Sequence, residues 1–253
     1  MTNNEQDTAS NSYPYYMSGY SPNFEQTRKG CTQLGRLTLD PLLGDVDYLI
    51  YKLRRPIIET WLKEITGSDL VVLDIGGRIQ PYRTFIEQRA KHYIAVDLVM
   101  EGLVTTVATA EQLPLKEEST DVILCNDMLQ YVLDPVAAVN EMFRILRPGG
   151  RLILSIKSSY PGHHDEYWRF LPHSLRYLTR LFSSARIEPE GYSLAGTCVS
   201  LNVLLHRDIK NERLMRIATK TTIPFLNILG LCLDPLVSNH TRSTCCYSIL
   251  AIK

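Results

Sequence analysis

The chain has 253 residues, which suits one α/β domain with additions or at most two small domains. Hydrophobic residues make up 45% of it, a normal share that supports a full core. Lys plus Arg and Asp plus Glu number 27 each, and this balance removes the electrostatic case for nucleic acid as the main partner. The cysteines (Cys31, Cys125, Cys198, Cys232, Cys245 and Cys246) form no C-x-x-C pair and lie in apolar segments. They read as buried free thiols of a reducing, cytoplasmic setting, and no metal site is expected from them.

Residues 1–30 are rich in Asn, Ser, Thr, Gln and Tyr without a helical or strand period. They are expected to form a flexible arm, and the absence of an apolar signal core speaks against secretion. From Asp47 to Glu64, Ile50, Leu53, Ile57 and Trp61 recur at helical spacing, with Pro56 expected to start a second helix. A strand at 71–74 then meets the glycine turn Gly76-Gly77, a helix is predicted around Tyr82 to Ala90, and a strand follows at 93–97. A short strand near Leu103 to Val107 leads to Ala110-Glu111-Gln112-Leu113-Pro114 and to a strand at 121–126. Asp134-Pro135 reads as an N-cap with proline at the first helical position. That helix buries Val136, Val139, Phe143 and Leu146 and stops at Pro148-Gly149-Gly150. Arg151 to Lys157 is the fifth strand.

Strands alternating with helices imply a parallel sheet with right-handed crossovers, and ligands then bind beyond the carboxyl ends of the strands. After residue 157 the alternation fails. A helix is predicted at Ser174 to Phe182, a strand near Arg186 to Tyr192, an apolar and partly helical stretch at 198–240, and a last strand from Cys245 to Ile252. The longest apolar run, Ile223 to Val237, is interrupted by Pro224, Asp234 and Pro235 and falls short of the roughly 20 residues a membrane span requires.

A buried strand, a glycine turn and a second strand ending in Asp97 suit an adenosine-containing ligand, the acid holding the ribose hydroxyls. The dinucleotide pattern G-x-G-x-x-G fails here: the template gives Gly76-x-Arg78-x-x-Pro81, and Pro81 lacks an N–H for a pyrophosphate. A cofactor with adenosine and no phosphate fits better.

At this point the chain resembles the class I S-adenosylmethionine-dependent methyltransferases of type 11, over roughly residues 45–192 and 245–252. Asp74-Ile75-Gly76-Gly77 is similar to their first motif and Asp97 to their ribose acid. Ala110-Glu111-Gln112-Leu113-Pro114 is similar to A-E-x-L-P, Asn126-Asp127-Met128 to the turn after strand four, and Leu146-Arg147-Pro148-Gly149-Gly150 to the entry of strand five. The resemblance implies a Rossmann-like, doubly wound, mostly parallel seven-stranded sheet with helices on both faces. It implies a single methyltransferase domain over 31–253, with 198–240 as a substrate-side insertion. S-adenosyl-L-methionine is the implied cofactor, with Asp74, Gly76, Gly77, Arg78, Asp97, Leu98, Thr109, Ala110, Glu111, Asn126, Asp127 and Met128 around it. Arg78 stands where the family usually has a second glycine, and Thr109 where it often has an acid.

Pro81-Tyr82-Arg83 and Asp165-Glu166-Tyr167-Trp168-Arg169-Phe170 resemble a subgroup with P-Y-R and D-x-Y-W-R-F motifs, often linked to sugar and glycan pathways. The expected acceptor is therefore an oxygen of a sugar, glycan or other small molecule. His163, His164 and Asp165 are the candidates for a general base, with loop bracing as the alternative. Tyr131, Tyr167, Trp168 and Arg169 are candidates for the substrate wall, and core packing, or a pair of Arg169 with Asp165 or Glu166, is the competing role. The 198–240 segment reads as a helical cover, a lid, or a peripheral membrane contact. A methyltransferase-like binding protein without turnover, or an enzyme methylating nitrogen or carbon, remains open on the same residues.

Overall fold

The apolar runs of the sequence form the strands β1 (Leu70–Ile75), β2 (Ala90–Asp97), β3 (Thr106–Val107), β4 (Thr120–Asn126), β5 (Leu146–Lys157), β6 (Ser184–Pro189) and β7 (Cys246–Ile252). The helices are α1 (Arg28–Leu39), α2 (Tyr48–Lys63), α3 (Pro135–Ile145), α4 (Pro172–Leu178), α5 (Ser193–Asp208), α6 (Glu212–Lys220) and α7 (Thr222–Val237). The computed structural model describes residues 28–161, 166–237 and 243–253. The strands form one sheet in the order β3-β2-β1-β4-β5-β7-β6. β1 to β5 are parallel, and β7 runs antiparallel between β5 and β6.

The two-residue period of the strands sorts their side chains onto two faces. Leu73, Ile75, Ile123, Cys125, Leu152 and Leu154 pack with Val139, Met142 and Ile145 of α3. Their alternates Leu70, Val72, Val122, Leu124 and Ile153 pack with Ile58, Trp61 and Leu62 of α2 and with Tyr82 and Ile86. Both faces of the sheet are thus covered, as a parallel sheet requires.

Several elements differ from the sequence reading. The Asp47–Glu64 region is one helix that runs through Pro56. The proline removes one hydrogen bond and crowds the preceding turn. Buried anchors on both sides of it (Leu49, Ile50 and Arg54, then Ile58, Trp61 and Leu62) keep the helix continuous. In place of the helix expected around Tyr82 to Ala90, the chain makes two 3-10 turns, Arg83–Phe85 and Glu87–Arg89. The turn after β1 uses the chain as far as Tyr82, with Gln80 at φ +46°, and too few residues remain before β2 for an ordinary helix. A 3-10 turn rises faster per residue and covers the distance. β5 begins already at Leu146, and the helix expected to reach Phe182 ends at Leu178. The described part of the 198–240 stretch, up to Val237, lies mostly in α5, α6 and α7. α1 begins at Arg28, so the end of the expected arm is helical. All the cysteines are free. Five are buried, whereas Cys232 is exposed on α7.

α5 to α7 leave the sheet after β6 and return at β7, and their junction is tight at Gly196. A Cβ there would lie 1.9 Å from the Ser243 carbonyl oxygen. Gly196→Ala is expected to cost about 1–3 kcal/mol through overpacking, measured as a lowered denaturant midpoint with unchanged slope.

Candidate functional site

Strand order reverses between β1 and β4, so a crevice opens at their carboxyl ends. The β1 side is a turn that only glycine can make. Gly76 has φ +75°, and a Cβ on it would lie 3.0 Å from Cγ of Met128. A Cβ on Gly77 would lie 2.7 Å from the Asp74 carbonyl oxygen. The Gly76 and Gly77 N–H groups donate to the Val96 carbonyl at 2.8 and 3.3 Å, and Arg78 N–H donates to the Gly76 carbonyl at 2.9 Å. Arg78 turns its guanidinium to Glu101 (3.4 Å), while its carbonyl accepts from Leu103 N–H (3.0 Å). α1 lies against this turn: a Cβ on Gly35 would lie 2.4 Å from the Ile79 carbonyl oxygen.

Asp74 is buried beneath the turn and accepts a hydrogen bond from the Tyr93 hydroxyl at 2.6 Å. Burial pushes its carboxyl up to about 7 against that bond and the charge of Arg83. An unfolded aspartate titrates near pH ~4, so between there and about 7 the folded chain holds the extra proton. The stabilisation is complete below the unfolded value and is lost as pH rises through the folded one. Asp74→Asn, which cannot ionise, should therefore gain stability relative to the parent at about pH 8, with the gap narrowing to about a third at pH ~5 and closing below about pH 4. Thermal midpoints of the two proteins across that range check it, and a gap that stays constant contradicts a neutral Asp74.

At the end of β2, the half-buried Asp97 accepts from Leu98 N–H through Oδ1 at 2.7 Å, and Leu98 itself is exposed. The following segment is fastened by its acids. Thr109 bridges Gln112, Ala110 is buried, Glu111 accepts from Leu133 N–H at 3.2 Å, and Leu113 N–H donates to Glu141 at 2.9 Å.

The β4 side is braced from below. Asn126 Oδ1 accepts from the Ser155 hydroxyl at 2.8 Å. Asp127 sits at φ +49° with its carboxylate on Arg54, which reaches it from α2 and is hydrogen-bonded to Oδ1 at 3.0 Å. Nε of the same guanidinium donates to both oxygens of Glu190 at 2.8 Å. Burial opposes the charge on Arg54, but Asp127 and Glu190 hold its pKa well above the ordinary value. Gln130 Nε2 donates to the Asp127 carbonyl at 2.7 Å.

Beyond β5, the chain folds back onto this turn. Tyr167 and Trp168 N–H donate to the Gln130 carbonyl at 2.9 and 3.3 Å, and the Trp168 indole N–H donates to the Val132 carbonyl at 2.9 Å. The structure thus brings Tyr131, Tyr167 and Trp168 together at the edge of the crevice, with both Tyr167 and Trp168 exposed. Arg169 pairs with Glu166, which also meets Lys157 Nζ at 3.3 Å. Tyr160 donates to buried Asp47 at 3.0 Å, and burial raises the Asp47 carboxyl to about 6. His163, His164 and Asp165 lie outside the described residues.

The sequence reading missed Arg54, Glu190, Asp47, Tyr160 and Lys157. One signal was present: Ile50, Arg54, Ile58 and Leu62 follow each other at i+4, which puts a guanidinium in an apolar stripe. A separate cleft of about 430 Å³ follows the outer edge of β2, lined by His92, Tyr93, Thr105 and Pro114 among others. It forms because β3 pairs only with Val96 and Asp97, and the strand ends discussed above lie elsewhere. Among the described residues no His, Cys, Asp or Glu cluster could hold a metal ion.

Residues 73–154 match the family model described as a methyltransferase domain. The fold is that of a class I methyltransferase. An uncharacterized methyltransferase of Mycobacterium tuberculosis (strain ATCC 25618 / H37Rv) is 36% identical over 91 residues, which are 32% of this chain and 37% of that protein. This chain therefore spans little more than a third of the length of the first curated relatives it matches. Among solved structures, a SAM-dependent methyltransferase from Archaeoglobus fulgidus superposes with TM-score 0.52 at 15% identity, over 86% of this chain and 98% of that one. Haemonchus contortus phosphoethanolamine N-methyltransferase 2, solved with phosphomonomethylethanolamine and S-adenosylhomocysteine, gives TM-score 0.54 at 14% identity, over 87% and 60%. The methyltransferase fold accounts for the antiparallel β7 inserted between β5 and β6, a strand the pure βα alternation does not supply.

Proposed function

We propose that this chain is an S-adenosylmethionine-dependent methyltransferase acting on an oxygen of a sugar, glycan or other small molecule. The observation that carries the reading is the half-buried Asp97 carboxylate at the β2 end, beside the Gly76 turn where strand order reverses. A ribose diol presents two donors to such a carboxylate. The donor set also suits a nucleoside that lacks phosphate. The N–H groups of Gly76, Gly77 and Arg78 are spent on protein carbonyls, so these three amides do not cradle a pyrophosphate. Leu98 and Ala110 would border the base, while the Gly76–Arg78 and Asn126–Met128 turns would hold the amino-acid end.

The cofactor supplies a methyl group already activated on a sulfonium, so the protein's task is to position the acceptor and exclude water. Tyr131, Tyr167 and Trp168 offer flat faces for a sugar or an aromatic ring, and Arg169 is steadied by Glu166. His164 is assigned the acceptor proton, with His163 and Asp165 as the alternatives. Calorimetric titration with S-adenosylhomocysteine tests the core of the reading. Saturable binding at micromolar levels is expected (about −8 kcal/mol), and its absence from folded protein overturns it.

A second reading, a binding protein without turnover, draws on Arg78 at a position the family gives to glycine and on the commitment of Asp127 to Arg54. It predicts the same titration but no release of S-adenosylhomocysteine from S-adenosylmethionine against a panel of sugar and small-molecule acceptors.

A further inference from the structure

The helices between β6 and β7 expose an apolar surface that the site does not use. Every exposed side chain of α7 is uncharged. Phe225 (62% exposed), Ile228 (48%), Cys232 and Leu236 (77%) form one stripe at helical spacing. The only charged residue of α7, Asp234, faces inward, where its carboxylate accepts from Tyr192 and Ala195 N–H at 2.6 and 2.8 Å and so caps α5. α6 follows a different design. Leu214 and Ile217 are exposed (56% and 58%) beside the exposed Arg213, Arg216 and Lys220, Arg216 lying 3.5 Å from Glu212. Exposed Leu42 lies next to Leu43, whose carbonyl accepts from Asn227 of α7 at 2.8 Å, so this loop is tied to the same layer.

An apolar stripe on one helix beside a basic, amphipathic helix is the composition of a segment that lies in a membrane interface. Across 207–220 five basic residues stand against two acidic ones, in a chain whose net charge is zero. Their charge complements an anionic lipid surface. It disfavours a second copy as the occupant, since a two-fold contact would bring Arg213, Arg216 and Lys220 toward their own counterparts. A membrane span is not an alternative among the described residues, where no helix is long and apolar enough to cross a bilayer.

We propose that α6 and α7 dock this protein on anionic lipid surfaces, with Phe225, Ile228 and Ile217 entering the acyl boundary and Arg213, Arg216 and Lys220 meeting the headgroups. The helices leave the sheet after Pro189 and return at Cys246, the edge at which Lys157 and Asn126 also end. Docking therefore brings the carboxyl ends of the strands toward the membrane.

Co-sedimentation of the full chain with lipid vesicles tests the proposal without any cofactor, so its outcome is independent of the methyltransferase reading. Vesicles of phosphatidylcholine with about 30 mol% phosphatidylserine should bind the protein at least ~10-fold more strongly than phosphatidylcholine alone, with the preference weakening as salt is raised. Phe225→Ser with Ile228→Ser should abolish binding. Arg213→Glu with Arg216→Glu should remove the preference for phosphatidylserine. These positions are exposed, so all variants should keep the parent's thermal midpoint. No sedimentation with either vesicle, or equal sedimentation of parent and variants, overturns the proposal. So does a concentration-dependent dimer that Phe225→Ser with Ile228→Ser disrupts.

Discussion

Replacing Arg54 with methionine is expected to cost about 3–5 kcal/mol of folding stability, a fall in melting midpoint of roughly 6–20 °C for a domain of this size. The reason is the company Arg54 keeps. Its side chain is 2% exposed and that of Glu190 is fully buried, so removing the guanidinium leaves that carboxylate buried with the Ser248 hydroxyl donating to it at 2.7 Å. Asp127 is partly exposed and can recover water, so most of the loss should come from the Glu190 side. The double variant Arg54→Met, Glu190→Leu should then recover a large part of the loss, whereas Arg54→Met, Asp127→Asn should recover little. Denaturant midpoints of the variants measure the coupling. A single variant within about 1 kcal/mol of the parent would mean that the ion pair does not hold α2 to the sheet edge.

The same residue shows why part of the site was illegible. Apolar runs bounded by glycine and proline are local signals, and they placed β1, β2, β4, β5 and the N-cap of α3, where Asp134 accepts from Val136 and Ala137 N–H at 2.9 Å. That alternation implied a parallel sheet with its ligand at the carboxyl ends, while the reversal between β1 and β4 is a property of the strand order, which no local signal carries. Arg54 and Glu190, by contrast, lie 136 positions apart and meet only because α2 packs beside β7 and β6 ends next to it. Side-chain pairs of this kind leave no periodic trace. The helix at Pro56 was misjudged for a related reason: a local rule predicts a break, and tertiary packing on both sides overrides it. The 3-10 turns before β2 were set by the distance to be crossed, which is a property of the sheet. Motifs after strands four and five were read separately, whereas the structure joins them through the Gln130 carbonyl, and no spacing rule connects positions that far apart.

Asp97→Ala is expected to weaken S-adenosylhomocysteine binding by about 100-fold or more. A carboxylate that accepts from both hydroxyls of a ribose makes two hydrogen bonds to a charged group, each contributing about 1.5–3 kcal/mol, and every 1.4 kcal/mol is tenfold in Kd. Oδ1 is already oriented by Leu98 N–H at 2.7 Å, so the carboxylate is held in place before the ligand arrives. Asp97→Asn keeps one acceptor oxygen and should lose less, roughly tenfold. Because Asp97 is only half-buried, the unliganded variants should melt within about 1 kcal/mol of the parent, which separates a binding defect from an unfolded one. Adenine alone, which carries no diol, should bind parent and Asp97→Ala equally weakly. Calorimetry on the three proteins with both ligands reads all of these outcomes. If Asp97→Ala binds S-adenosylhomocysteine as the parent does, the ribose is not held at the β2 end, and the adenosine crevice assigned between β1 and β4 is in the wrong place.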